Sequence, residues 1–532
     1  MPAMSSFHYN DRASTESLIR DSEIFDIDDR AAALYRPHFL FPRRSRWTKY
    51  VSARLLRRII HLVLLLIVAV VAVVAVTFVF FPSYTHRPAH YQYLEGSIKR
   101  SQEPGRGNPR NEKVFIATNL YDRSGDLARG RWGHSLLELV DLLGHDNTFL
   151  SIYENDAGEE ADRALAELDA QVHCNKSIVF EPHYDFSQAE TVTLPDGSVR
   201  FRRVPYLADL RNQALAPLAE QNKKGIRYDR ILFMNDVYFD PVDIVQLLFS
   251  TNMGDDGVSN YRAACAVDFG KVTRFYDTFA VRDAQGYRIG VPFYPWFVSA
   301  GEAASRKDVL NQKDAVRVRS CWGGIVAFDA KYFQVAEEEE EEEEDSKSSL
   351  IHKTPTDRRK QQQQTANTTS TEPVRFRAIS DTFWEASESC LIHADLQDPY
   401  TDIDEVVDTG IYLNPYIRVT YEYRAFTRLG FVRRFERLFA WPNWIANAMS
   451  NHPYHNSRRT DIAGETVEQR VWQPDASYDE GGYWKDELRV ASAGGFCAKR
   501  DLFVLIDNRQ EGENGWEPIW TPRDPDSLDW IS

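Results

Sequence analysis

The segment Ile231-Leu-Phe-Met-Asn-Asp-Val-Tyr-Phe239 ends an apolar run on two polar residues, Asn235 and Asp236. In an open α/β sheet, ligands gather at the carboxyl ends of the strands. A carboxylate there can hold a divalent cation that bridges a diphosphate and neutralises it as a leaving group. The pattern is a degenerate Asp-x-Asp, with one carboxylate where that motif has two. The same two residues also suit the capping of a following turn. Arg211 falls on the apolar stripe of Leu207, Leu210, Ala214, Leu215 and Leu218, at about 100° per residue. A guanidinium on that face needs a partner, because burying it alone is costly. A donor phosphate, a sugar or a structural carboxylate would each serve.

Other strand ends carry polar groups too. Val114–Thr118 runs into Asn119-Leu-Tyr-Asp-Arg-Ser-Gly-Asp126 ahead of a helix, a natural place for a nucleotide. A second run ends in Tyr153-Glu154-Asn-Asp156. In Cys321-Trp322-Gly323-Gly324, two glycines beside an indole allow close backbone approach and offer a platform for a sugar ring; a tight packed turn is the other reading. His393, among apolar neighbours in Cys390-Leu-Ile-His-Ala-Asp395, reads as a core histidine or as a distal metal ligand. No Gly-x-Gly-x-x-Gly and no Walker A pattern is present, which disfavours dinucleotide and P-loop enzymes. No side chain stands out as a covalent nucleophile, so the catalytic residue itself is unassigned.

The elements that must hold these groups alternate. Strands are expected at Val114–Thr118, Thr148–Tyr153, Ser177–Phe180, Ile231–Met234, Ala263–Val267 and Ile325–Phe328. Helices are expected at Trp132–Leu143, Ala161–Val172, Tyr206–Glu220 and Val242–Phe249. This rhythm implies an α/β fold with a mostly parallel sheet covered on both faces. Pro195-Asp196-Gly197 between alternating residues reads as an inserted hairpin.

Ile59–Phe81 is the clearest segment of the 532-residue chain, interrupted only by His61 and Thr77. It is long enough to span a bilayer core of roughly 30 Å. It starts too late and runs too long for an ordinary cleaved signal peptide. Seven basic residues, Arg43, Arg44, Arg46, Lys49, Arg54, Arg57 and Arg58, precede it, whereas only Arg87 follows closely. The positive-inside rule therefore places 1–58 in the cytosol as a disordered tail and the remainder in the secretory lumen, a type II topology. Residues 82–112, rich in proline and charge, read as an extended stem, and 113–532 as the luminal domain. Within it, 337–373 holds Glu337–Glu344, Gln361–Gln364 and a Thr/Ser cluster, and reads as a disordered loop. The net charge of −16 advertises no basic face, so a nucleic-acid partner is excluded. All five cysteines lie on the luminal side, and their odd number leaves at least one without an intramolecular partner. Asn175-Lys-Ser and Asn367-Thr-Thr are glycosylation sequons.

Phe115-Ile-Ala-Thr-Asn-Leu-Tyr, Phe149-Leu-Ser-Ile-Tyr-Glu-Asn-Asp, Leu232-Phe-Met-Asn-Asp-Val-Tyr-Phe, Val291-Pro-Phe-Tyr-Pro-Trp-Phe, Ser320-Cys-Trp-Gly-Gly and Glu388-Ser-Cys-Leu-Ile-His-Ala-Asp occur together. In this combination the chain resembles the fungal α-1,3-mannosyltransferases related to the cryptococcal capsular mannosyltransferase and capsule-associated proteins, over roughly residues 113–440. The resemblance implies a GT-A-like, Rossmann-related fold, a GDP-mannose donor, and Mn2+ or another divalent cation. It further implies transfer to a glycan hydroxyl in α-1,3 linkage with retention, and residence in the Golgi or ER membrane. Carried over by residue, Asp236 would bind the metal with His393 completing the site. Asn119, Glu154, Arg211 and Asn235 would surround the donor, and Trp322, Gly323 and Gly324 would face the acceptor or sugar.

Two competing readings stand beside a metal-dependent transferase. One is a non-catalytic membrane protein that supports polysaccharide assembly or export, which the single carboxylate of the metal motif permits. The other is a glycosidase, for which no positioned pair of carboxylates can be deduced.

Overall fold

The computed structural model describes residues 53–335 apart from 195, then 372–399, 402–475, 477, 481–506 and 515–519. Residues 1–52 of the expected tail 1–58 and residues 337–371 of the expected loop 337–373 lie outside the described residues. Helix α1 (Ala53–Phe80) contains the 26-residue stretch Leu55–Phe80, within which an 18-residue run has a mean hydropathy of 3.4 and no buried residue. It is long and apolar enough to cross a membrane.

The segment expected to be an extended stem is instead folded against the domain. Helix α2 (Ala89–Arg100) lies there, and Tyr84, Tyr91 and Leu94 are buried. The Tyr84 hydroxyl donates to the Val309 carbonyl at 3.1 Å, while Asn414 donates to the Tyr91 hydroxyl at 2.7 Å. The physical reason is the pair of tyrosines among the prolines: each buries a large ring and still satisfies its hydroxyl.

From Val114 the expected alternation is observed. The strands are β1 (Val114–Leu120), β2 (Thr148–Asn155), β3 (Asn175–Glu181), β4 (Thr191–Thr193), β5 (Val199–Phe201), β6 (Arg230–Met234), β7 (Ala263–Lys271), β8 (Arg274–Phe275), β9 (Arg282–Asp283), β10 (Val316–Ser320), β11 (Ile325–Asp329) and β12 (Ile411–Thr420). The helices that matter for the site are α3 (Arg131–Leu143), α4 (Glu159–Asp169), α5 (Arg203–Lys223), α6 (Pro241–Ser250), α7 (Glu388–Asp395) and α8 (Ala440–Met449).

Ten strands form one sheet in the order β3-β2-β1-β6-β11-β7-β12-β10-β9, with β8 added on β7. β3, β2, β1 and β6 run parallel, the arrangement expected of βαβ units. β11 then enters antiparallel between β6 and β7, β12 is parallel to β7, and β10 and β9 close the sheet antiparallel. This is the GT-A-like α/β architecture implied by the resemblance: a parallel half joined to a mixed half. β1, β2 and β6 are buried along their whole length, as their apolar runs require when helices cover both faces. α5 covers the face that carries Asn119 and Ser151, whose side chains donate to its Leu210 and Ala214 carbonyls at 2.6 and 2.7 Å. β4 and β5 form the expected hairpin, with Thr191 opposite Phe201 and Gly197 at φ 82°. Disulfides join Cys265 to Cys321 and Cys390 to Cys497, and Cys174 stays free and buried.

Candidate functional site

β6 delivers Asn235 and Asp236 to the carboxyl edge of the sheet, where β11 holds the exit: the Asn235 N–H donates to the Gly324 carbonyl at 2.8 Å. The Asn235 side chain is a hub. Its Oδ1 accepts from Arg211 Nη1 at 3.4 Å and from Trp322 Nε1 at 3.3 Å, and its Nδ2 donates to the Tyr421 hydroxyl at 3.2 Å. With both ends of the amide engaged, Asn235 acts as a strut rather than as a ready ligand. The capping alternative for this segment falls to a neighbour: Asp240, not Asp236, accepts the Val242 N–H and caps α6.

Arg211 has the partner its burial demands. Nε donates to Glu388 Oε1 at 2.9 Å, with both side chains about 5% exposed. The guanidinium carbon lies 4.3 Å from the Trp322 ring centroid. Of the partners open in the sequence, the structure supplies a carboxylate. Trp322 is buried with its face against Arg211, so the ring supports the ion pair. Gly323 and Gly324 are required by the turn. They sit at φ 55° and 70°, and a Cβ on Gly323 would lie 1.9 Å from the Ala266 carbonyl oxygen.

Acidic side chains converge here beyond those read from the sequence. Asp268 lies in the buried part of β7, one residue before that part ends at Phe269, and its Oδ1 accepts the Asp277 N–H at 3.2 Å. Burial raises the Asp268 carboxyl well above the usual range, and the charge of Asp277 adds to this; burial raises Asp277 as well. The pair therefore retains a proton closer to neutral pH than free carboxylates do. Tyr421 follows β12 and links the two halves. Its ionisation is pushed well up by burial, then by the charges of Asp268, Tyr276 and Asp236. Arg211, Asp268, Asp277, Trp322, Glu388 and Tyr421 line a cavity of about 40 Å3.

Asp268 resembles Asp236 in being a carboxylate directly after an apolar run, here Ala263–Val267, and that signal was available in the sequence. Tyr421 was not accessible that way, because β12 carries no clear alternation and its end is defined by pairing with β7 and with Tyr238. Glu388 opens α7, and nothing local in its sequence announces Arg211 as its partner.

The remaining sequence candidates lie elsewhere. Asn119 and Glu154 end β1 and β2 but face opposite sides of the sheet, since Asn119 pairs in register with Tyr153. Glu154 Oε1 accepts the Asp122 N–H at 2.6 Å, and Asp122 in turn accepts the Leu127 and Ala128 N–H groups. Asn119 Oδ1 and Glu154 Oε2 are buried with no hydrogen-bond partner. Burial pushes the Glu154 carboxyl up to about 7. His393 is buried beside the Cys265–Cys321 disulfide, with Nε2 4.0 Å from Cys265 Sγ and its ring 5.5 Å from Phe328. Burial lowers its pKa to about 3, so the imidazole is neutral. On α7 it lies about 140° around the helix from Glu388, at 100° per residue.

Do these residues suit a divalent cation? Among the described residues, the group of three ligand atoms close enough to share an ion is Cys265, Cys321 and His393. Its two sulfurs are bonded to each other, so it offers no thiolate. At Asp236 the protein supplies a nearly buried carboxylate without a preformed cage. That donor set fits an ion such as Mn2+ or Mg2+ that takes one or two carboxylates and completes its shell with substrate phosphates and water. A roomier cavity of about 450 Å3 opens beside Tyr153, Glu181, Tyr184 and Asp209 at the β2–β3 edge, but none of the Asn235 cluster lines it.

No curated protein sequence matches the chain. It is similar to 31 solved chains. One is the Pyrobaculum calidifontis mannosyltransferase in complex with GDP-Man and Mn2+, at 9% identity, with 72% of this chain and 74% of that chain covered and a TM-score of 0.28. Another is mannosyl-3-phosphoglycerate synthase from Rubrobacter xylanophilus, at 14% identity, with 77% and 94% covered and a TM-score of 0.25. Overlaps that loose carry no functional weight. The family model of cryptococcal mannosyltransferase 1 matches residues 113–395, just over half of the chain, from the start of the sheet to the end of α7. The stretch takes in Asp236, Asp268, Arg211, Trp322 and Glu388, and the chain belongs to the cryptococcal mannosyltransferase 1 family of glycosyltransferases.

Proposed function

We propose that this protein transfers mannose from GDP-mannose to a glycan hydroxyl, in α-1,3 linkage with retention, using a divalent cation held at Asp236. The observation that carries the reading is Asp236 at the carboxyl edge of β6, in the family-matched region, beside Tyr421 and the Asp268–Asp277 pair. A bound cation would supply charge neutralisation for the departing diphosphate.

The chain's own residues do the rest. The Arg211–Glu388 pair, held by Asn235 and Trp322, keeps the floor of the site fixed. Asp268 and Asp277, with hydrogen-bonding capacity left on one oxygen each, are suited to hold sugar hydroxyls. Glu154 and Asn119, at the neighbouring strand ends, are assigned to the nucleotide side of the donor. The disulfides support an oxidising compartment, and α1 supports a single-pass anchor with the domain in the Golgi or ER lumen.

The test is a screen of GDP- and UDP-sugars with the purified protein, with and without Mn2+. GDP release from GDP-mannose that requires the ion is expected. Release from a UDP-sugar alone would overturn the donor, and no release from any donor would favour a non-catalytic role in polysaccharide assembly.

A further inference from the structure

Helix α8 is built inside out. Asn443 and Asn447, four residues apart, are buried. Asn443 Nδ2 donates to the Phe293 carbonyl at 2.8 Å and its Oδ1 accepts from Arg306 at 2.7 Å; Asn447 Oδ1 accepts the Val291 N–H at 2.7 Å. The polar stripe thus pins the helix to the protein. The opposite stripe is apolar and faces outward: Trp441 is 75% exposed, Trp444 53%, Ile445 48% and Met449 80%. Spacings of three, four and four residues place these four on one face. A soluble surface helix is normally arranged the other way, and an outward face of this kind marks a site of interaction.

Its position identifies the partner. A run of phenylalanine rings leads from the end of the apolar helix α1 towards α8: Phe78 to Phe431 at 5.9 Å, Phe431 to Phe435 at 5.5 Å, and Phe435 to Phe439 at 6.0 Å. Phe439 directly precedes α8, and Phe431 is itself 62% exposed. Ser83, just past α1, donates its N–H to the Arg433 carbonyl at 2.7 Å. Arg424, Arg428 and Arg434 are exposed along the same stretch, and its Glu436 is buried against Arg418. Exposed tryptophans with arginines beside the end of an apolar helix are the composition of a bilayer interface.

We infer that residues 431–449 form a second membrane contact, with α8 lying in the headgroup layer of a phospholipid surface beside the point where α1 leaves it. The inference rests on the reading of α1 as a membrane span. The domain is then held at two places and cannot swing freely on α1. The arginines would favour anionic headgroups.

The test uses the full chain in native microsomes with a photoactivatable benzophenone residue at position 441 or 449, and at the exposed position 488 of the antiparallel strand pair Thr466–Pro474 and Gly482–Val490 as control. Phospholipid adducts are expected at 441 and 449 and absent at 488. Adducts at 441 and 449 no stronger than at 488, or adducts there to a protein instead of lipid, would overturn the inference. Alkaline carbonate extraction reads the span separately: a chain that stays in the pellet without adducts at 441 and 449 keeps α1 as a span and loses the second contact. Trp441→Ser with Ile445→Ser, which removes no buried side chain, should preserve the melting temperature and lose the adduct at 449.

Discussion

Arg211→Met separates a structural from a donor-binding role for the ion pair at the floor of the site. The substitution keeps a long apolar side chain against Trp322 but leaves Glu388 about 5% exposed and without its guanidinium. Breaking one side of a buried pair costs about 3–5 kcal/mol. For a domain of ~400 residues, at about 2.1 cal/mol/K per residue, that corresponds to a fall in melting temperature of ~4–6 °C. Replacing both partners, as Arg211→Met with Glu388→Leu, removes the uncompensated charge and should recover most of the loss. Ser389, whose hydroxyl donates to Glu388 at 2.9 Å, can turn to another acceptor. Differential scanning fluorimetry of the two variants and GDP release measured on the same samples give the answer. A double variant that is stable and active means the pair only supports the fold. A double variant that is stable but inactive means Arg211 or Glu388 also meets the donor. The reasoning is refuted if Arg211→Met leaves the melting temperature unchanged, or if the double variant is as unstable as the single one.

Glu154→Gln should reveal the ionisation of a buried carboxyl. The folded-state value near 7 lies above the ordinary 4.5, so this group favours folding at low pH and the contribution is lost as pH rises through about 7. The amide keeps the acceptor for the Asp122 N–H, and the variant should be up to ~3 kcal/mol more stable than the parent at pH 8, with the gap closing toward pH 5 in melting experiments. Deleting 337–371 should leave melting temperature and basal transfer intact. The Val374 N–H donates to the Tyr332 carbonyl at 2.9 Å, so the two ends already lie together, and loss of soluble expression would show that an ordered element had been removed.

The strands and helices were legible because each is a run of one type bounded by a turn. Val114–Leu120, Thr148–Asn155 and Arg230–Met234 are apolar and β-branched or aromatic, and each is followed by polar residues at the strand end. In the sheet's second half the strands Ala263–Val267 and Ile325–Phe328 were legible, but their order and direction were not. β11 runs antiparallel between β6 and β7, and neighbouring strands such as β7 and β12 lie far apart in sequence. The site divides the same way. Asp236 announces itself at a strand end, whereas the Arg211–Glu388 pair and the Tyr421–Asn235 bond join residues 177 and 186 positions apart. The stem misled because its prolines and charges outnumber Tyr84, Tyr91 and Leu94, yet those three side chains decide where the segment lies.

The central claim rests on the charge of Asp236. Asp236→Asn keeps the shape of the side chain, and the cap of α6 is left to Asp240. The account predicts that Mn2+-dependent mannosyl transfer from GDP-mannose falls on the order of a thousandfold, the equivalent of several kcal/mol at the transition state, with the melting temperature unchanged. Near-normal transfer by a well-folded Asp236→Asn protein would contradict it.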